Sequence, residues 1–259
     1  MDPYTESGLY CGAFDYPIDG EVDCILEVAA SWLGRSPQTV FEPMCGNARY
    51  GRLMARRGLD YLGFDLSAEM LAGISDEPGM KTLVMDATDF SLDADPYDLA
   101  ICPINSIRHL SDFAALESHL NCVRRHLVSD GLYWVETNLA DLDGPVEFDE
   151  HAVKWSVPQG DGSTVVAEWW TISAERQAKK VIEGCRFRRL VDEKVVQEIE
   201  HEYEMLMTSR AAWEELAEKA GFKIVSMHLQ EHDGWKQLAL EEVADNHQNN
   251  HAICLQPTG

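Results

Sequence analysis

Apolar and polar positions alternate in two different periods along the first half of the chain. From Glu21 to Leu33, Val22, Ile25, Leu26, Ala29 and Trp32 recur at helical spacing, and Gly34 and Pro37 stop the run. Short apolar runs then predict strands at Thr39 to Met44, Tyr61 to Asp65, Thr82 to Met85, Tyr97 to Cys102 and Leu132 to Thr137. Helical patterns lie between them: about Asn47 to Arg57, closed by Gly58; a short helix capped by Ser67; and about Asp112 to Leu127. Strand and helix alternating in this way predict a parallel, doubly wound sheet. Glu42, Asp65, Asp86, the Pro103–Asn105 segment and Glu136 fall at the C-terminal ends of those strands, the side on which open α/β sheets bind ligands.

Beyond about Pro145 the period changes. Val153 to Val157, Val165 to Ile172, Lys180 to Val191 and Val195 to Thr208 read as extended segments of an added antiparallel sheet. A helix at Ser209 to Ala220, a strand at Phe222 to Leu229, a polar loop over residues 231–250 and a strand at Ala252 to Leu255 finish the chain. The first twenty residues, rich in Gly, Asp and aromatics, read as loop or short turns.

Composition narrows the function classes. The chain has 259 residues, 45% of them hydrophobic, enough for a sizeable core. No run of apolar residues is long enough to span a membrane, and the start lacks the basic-then-apolar order of a signal peptide, so a cytoplasmic location is expected. The 7 cysteines show no C-x-x-C spacing and several sit in apolar runs, as reduced core thiols do. A net charge of −24 argues against a nucleic-acid partner, which would call for a basic face. His247 and His251 have no companions at metal-ligand spacing, so no metal site is expected.

The chemistry concentrates at the first strand end. Gly46, Ala48 and Gly51 form G-x-A-x-x-G, a near miss to the dinucleotide fingerprint. A β-carbon at Ala48 and a negative charge at Glu42 both oppose a pyrophosphate. A cofactor with a cationic end suits Glu42 better; the plain alternative is an ordinary strand-to-helix turn. Asp65 could accept two ribose hydroxyls, and Asp86 an adenine amine. Alone, Asp65 could be a helix cap and Asp86 an ordinary loop residue, but three acids at three successive strand ends form a pattern.

Those residues carry a family resemblance. Glu42-Pro43-Met44-Cys45-Gly46-Asn47-Ala48-Arg49, Asp65-Leu66-Ser67-Ala68-Glu69-Met70-Leu71, the Asp86-Ala87 pair and Tyr97 to Leu110 together resemble the motifs of class I S-adenosylmethionine-dependent methyltransferases. The resemblance implies a Rossmann-like, doubly wound seven-stranded sheet with the last strand antiparallel, plus the added antiparallel sheet. It implies a lid at residues 1–20, a cofactor-binding core at 21–145, an inserted substrate-side sheet at 146–208, and a C-terminal segment at 209–259 completing the core. S-adenosylmethionine would be the cofactor and S-adenosylhomocysteine the product. The contacts implied are Glu42, Met44, Cys45, Gly46, Asn47 and Arg49 in the loop, then Asp65, Leu66, Met70, Asp86 and Ala87 beyond the next two strands. Cys102 and Pro103 would line the sulfonium side, and Tyr16 would belong to the lid. His109 and Asn105 would stand at the methyl acceptor, His109 taking a proton; a structural hydrogen bond from His109 is the competing role. The expected activity is methyl transfer to a small molecule, with an amine favoured because the added sheet is similar to that of small-amine and sugar-amine N-methyltransferases. A non-catalytic S-adenosylmethionine-binding protein and an NAD(P)-dependent oxidoreductase are the alternatives. Neither nucleic acid nor membrane is expected as a partner, and monomer and homodimer both stay open.

Overall fold

The computed structural model describes residues 7–74, 77–142, 152–231, 234–243, 245 and 249–258. The chain runs through α1 (Ser7–Ala13), α2 (Asp19–Leu33), β1 (Thr39–Pro43), α3 (Arg49–Arg56), β2 (Asp60–Asp65), α4 (Ala68–Leu71), β3 (Met80–Val84) and β4 (Tyr97–Cys102). After a 3₁₀ turn (Ser106–His109) come α5 (Phe113–His126), β5 (Leu127–Asn138), β6 (Val153–Pro158), β7 (Thr164–Glu175), β8 (Lys180–Val191) and β9 (Lys194–Leu206). The chain ends with α6 (Arg210–Lys219), β10 (Phe222–Glu231), β11 (Gly234–Leu238) and β12 (Asn250–Pro257).

The main sheet has the order β11-β10-β12-β5-β4-β1-β2-β3, and β6 to β9 form a second sheet in sequence order. From β1 the chain winds outward through β2 and β3, then crosses to β4 on the other side of β1. That reversal opens a crevice at the C-terminal ends of β1 and β4. The last strand, β12, lies antiparallel between β5 and β10, as expected from the sequence.

Strands buried on both faces divide the core into two layers. Tyr133 and Val135 point into the layer covered by α5 and α6, while Leu132 and Trp134 point into the layer covered by α2 and α3. Val22, Ile25, Ala29 and Leu33 give α2 one apolar stripe against that second layer, and Gly34 ends it in the left-handed region at φ 67°. Asp112 caps α5 by accepting from Ala115 N at 2.8 Å. Each fully buried Leu on α5 contributes about 2 kcal/mol to this packing.

Two elements depart from the sequence expectation. The N-terminal stretch contains a helix, α1, which Gly8 and Gly12 hid because glycine disfavours helix. Tertiary contact stabilises it: Leu9 and Ala13 are buried against β7 and β8. At Gly12 a β-carbon would fall 2.9 Å from Gln159 Oε1 and 3.1 Å from Val165 Cγ2, so a larger residue would have to displace the Gln159 side chain. The segment expected as a polar loop over 231–250 contains β11, an eighth strand paired antiparallel with β10 from Gly234 to Leu238. It is an edge strand of five residues, too short for a clear period. The expected boundary near residue 145 and His247 lie outside the described residues.

Gly51 has a packing role that its motif position disguised. A β-carbon there would lie 2.2 Å from Tyr61 Cζ, and one at Gly63 would lie 2.5 Å from the Tyr61 hydroxyl. The two glycines let the Tyr61 ring lie flat beneath α3 and reach Glu42. Gly51→Ala is expected to lower stability by about 1–3 kcal/mol through overpacking. Urea denaturation checks this, and a midpoint equal to the parent's would refute the packing role.

Candidate active site

The turn between β1 and α3 is built from left-handed residues. Met44, Gly46 and Ala48 have φ of 56°, 54° and 52°. Only the glycine adopts this freely; each of the others costs about 1–2 kcal/mol. Bonds to the next strand hold the turn: Cys45 N donates to Phe64 O at 3.0 Å, and Gly46 N donates to Asp65 Oδ2 at 2.8 Å. Asp65 Oδ1 also accepts from Ser67 N at 2.9 Å. A carboxylate has about four acceptor positions, so two bonds leave Asp65 with capacity toward the cleft. The Ala48 methyl, expected to obstruct a ligand, is fully buried in the core with Tyr50 and Met54 and does not line the cleft. That objection to a pyrophosphate therefore does not stand.

A cleft of about 310 Å³ opens over this turn. Its floor is Glu42, Met44, Cys45, Gly46, Asn47 and Arg49 from the turn, and its far wall is Asp65, Leu66, Met70, Asp86 and Ala87. Thus eleven of the fourteen residues implied as cofactor contacts share one cavity, and His109 lies at its other end. Tyr10, Cys11 and Phe14 from the α1 segment close one side. Ile104, Ser106 and Leu110 complete the wall after β4, and none of them was singled out as a contact from sequence.

Four expected residues lie elsewhere. Cys102 is fully buried on the Tyr133 side of β4, where burial pushes its thiol pKa up. Pro103 is buried and absent from the wall. Asn105 turns away because Ile104 and Asn105 are both left-handed, with φ of 50° and 60°, which brings Ile104 and Ser106 to the surface instead. Tyr16 stands behind Arg49, its ring centroid 4.6 Å from the guanidinium and its Oη accepting from Arg49 Nη2 at 3.3 Å.

Electrostatics differ sharply along the cleft. Glu42 is 2% exposed and accepts from Tyr61 Oη at 2.6 Å. Burial pushes its pKa up to about 8, against the lowering effects of that bond and of Arg49. Arg49 donates to Phe14 O, is ringed by Phe14, Tyr16 and Tyr50, and forms no ion pair among the described residues. Its Nε has no hydrogen-bond partner. Asp86 binds Thr88 N and Oγ1 through Oδ1, at 2.7 and 2.8 Å. Glu136 does not face the cleft. It accepts from Ile104 N at 2.7 Å, Trp134 Nε1 at 3.1 Å and Asn250 Nδ2 at 3.4 Å, and burial raises its pKa to about 7. It holds the strained, β-branched Ile104 in place. His109 keeps more than a third of its surface open to the cleft although protein packs around it. That crowding, and then the Arg108 guanidinium, draw its pKa below the ordinary imidazole value.

Residues 40–131 match the family model described as methyltransferase domain. No curated protein matches the chain by sequence. In fold it is similar to the sugar N-methyltransferase KedS8 from a Streptoalloteichus species, at 16% identity and TM-score 0.72, covering 98% of this chain and 93% of that one. It is similar to DesVI of Streptomyces venezuelae at 15% identity and TM-score 0.72, covering 98% of each. It also resembles CalS10, an amino pentose methyltransferase from Micromonospora echinaspora whose structure holds bound S-adenosylmethionine, at 15% identity and TM-score 0.72, covering 98% and 96%. With the site at the β1/β4 reversal, these matches give the chain the fold of S-adenosylmethionine-dependent methyltransferases. Residues 40–131 carry its methyltransferase domain.

The residues present fit that cofactor. Arg49 offers an unpartnered buried N–H beside the turn. Asp65 and Asp86 offer carboxylate oxygens at successive strand ends. Leu66, 66% exposed and lining the cleft between them, offers an apolar face. At Gly46 a β-carbon would lie 3.1 Å from Met70 Cε, so a larger residue would crowd the cradle. No helix among the described residues is long and apolar enough to cross a membrane, and none of their side chains group as a metal site.

Proposed function

We propose that this enzyme methylates the nitrogen of a small-molecule amine. The observation that carries the reading is the continuity of the cleft from the three strand-end acids to His109. S-adenosylmethionine, when bound, supplies an electrophilic methyl group on a sulfonium. In this reading Asp65 holds the ribose, Leu66 and Ala87 pack on and flank the adenine, Asp86 accepts its amine, and Arg49 meets the carboxylate. Glu42 lies under the cationic end. The acceptor enters at the other end, among Tyr10, Phe14, Leu110 and His109.

Among the described residues lining the cleft, every carboxylate belongs to the cofactor end: Glu42, Asp65 and Asp86. The acceptor end therefore does not stabilise an ammonium and favours the free base, the only form with a lone pair. With S-adenosylmethionine bound, that lone pair would displace sulfur from the methyl carbon, and the proton then on nitrogen would pass to His109 or water. His109, kept neutral, is an acceptor for it. Most of the rate comes from holding nitrogen and methyl in line. The similarity in fold to enzymes named as sugar and amino-pentose methyltransferases supports amino sugars as the first class to test.

Calorimetry should give heat with S-adenosylmethionine and S-adenosylhomocysteine and none with NADH. Screening primary and secondary amines, amino sugars among them, should release S-adenosylhomocysteine. Absence of heat with both sulfur compounds would overturn the reading. Binding with turnover only on hydroxyl acceptors would replace nitrogen by oxygen, and binding with no turnover at all would favour a non-catalytic protein.

A further inference from the structure

Arg108 and Glu183 form an ion pair buried between the two sheets. Arg108, in the 3₁₀ turn after β4, is 7% exposed, and Glu183, on β8, is 9% exposed. Arg108 Nη2 donates to Glu183 Oε1 at 2.7 Å, and its remaining donors reach Leu206 O at 3.3 Å and Asn138 Oδ1 at 3.4 Å. Glu183 Oε2 accepts from Trp169 Nε1 at 2.7 Å. The Trp169 ring stacks on Tyr203, with centroids 5.5 Å apart and planes 7° apart. Tyr203 in turn meets the His109 ring edge to face, at 5.2 Å and 80°. His109 is the neighbour of Arg108 in sequence, so the contacts close on themselves: Arg108, Glu183, Trp169, Tyr203, His109.

We propose that Glu183 is a positioning residue that fixes the His109 ring at the acceptor end of the cleft. The inference rests on the amine-methylation reading above. A four-residue 3₁₀ turn has too few internal bonds to fix its own side chains. A buried ion pair is a costly way to join two sheets, since apolar packing would hold them as well. What the pair adds is direction. Its two charges set the turn against β8, and the second oxygen of Glu183 sets the indole on which Tyr203 rests. Edge-to-face packing then transmits that orientation to the imidazole. Glu183 does not line the cleft, so its effect runs through the other four side chains.

Glu183→Gln separates positioning from packing. The charged and titratable groups around the imidazole are Arg108, Glu183, His201 and Tyr203. With the best amine found by the screen, kcat should fall at least tenfold, while the Kd for S-adenosylhomocysteine stays within twofold. At pH 7.5 the ¹⁵N resonances of the His109 ring should move from one tautomer toward an average of two. A folded Glu183→Gln with parental kcat and parental ring resonances would overturn the proposal. Should that variant not fold, Trp169→Phe keeps both charges and an aromatic ring against Tyr203 but removes one donor. A several-fold fall in kcat with the same ring response is expected, and no change in either would again overturn the proposal. A parent enzyme that methylates no amine would refute the acceptor reading instead, and the ring resonances alone would then decide the role of Glu183.

Discussion

Asp65→Ala is expected to weaken S-adenosylmethionine binding by about 3–6 kcal/mol, two to four orders of magnitude in Kd. Two ribose hydroxyls donating to a charged acceptor are worth about 1.5–3 kcal/mol each. The substitution does further damage, because the same carboxylate accepts from Gly46 N at 2.8 Å and Ser67 N at 2.9 Å. Removing it frees the turn as well as the ligand. Asp65→Asn keeps one carbonyl acceptor and should fall between the two. Calorimetric titration of all three proteins gives the ordering, and equal affinities would rule out a ribose contact at this position.

The second large effect concerns acidity. The Glu42 carboxyl has a folded-state pKa of about 8, raised from an ordinary value of 4.5, first by burial. Between those values the folded protein holds a proton that the unfolded chain releases. The contribution of Glu42 to stability without cofactor is therefore full below about pH 4.5, declines as pH rises through that window, and levels off above about 8. One such group contributes a slope of up to about 1.4 kcal/mol per pH unit. Glu136, raised to about 7 by the same cause, adds to the slope in the lower part of the window. Glu42→Gln keeps the shape and an acceptor for Tyr61 Oη but cannot ionise. It should gain a few kcal/mol over the parent at pH 8 and flatten the dependence. Urea denaturation of both proteins at pH 5.5 and pH 8 checks the sign: the buried histidines His109, His119 and His228, whose lowered pKa values act in the opposite direction, cancel in the difference, and a variant whose advantage over the parent does not grow with pH would refute it.

Much of the core was legible in the sequence for a simple reason. Strands such as Tyr97–Cys102 are buried along their whole length, so they read as apolar runs, here interrupted only by Asp98, and the acids that end the neighbouring strands stand out. Glu42, Asp65 and Asp86 meet in one cleft as the strand order required. Orientation within loops was not legible. Nothing in the letters says that Ile104 and Asn105 both take positive φ, and that one fact sends Asn105 inward and Ile104 outward. The same limit misplaced the Ala48 methyl, which faces the core. Glu183 was invisible for another reason. It is one acid in a strand that also carries Arg186, Arg188 and Arg189, and only the pairing of β8 with β7 brings it to Trp169.

The last carbonyls of the α1 segment are each taken by a different partner. Gly12 O accepts from Gln159 Nε2 at 2.9 Å, Ala13 O from Trp155 Nε1 at 2.7 Å, and Phe14 O from Arg49. The first two donors belong to the inserted sheet and the third to the cofactor turn. One side of the cleft is thus a short segment pinned at three points, two on one body and one on the other. The wall formed by Tyr10 and Phe14 then owes its position to two separate parts of the chain, the inserted sheet with its first hairpin and the turn after β1, and not only to the helix that carries it.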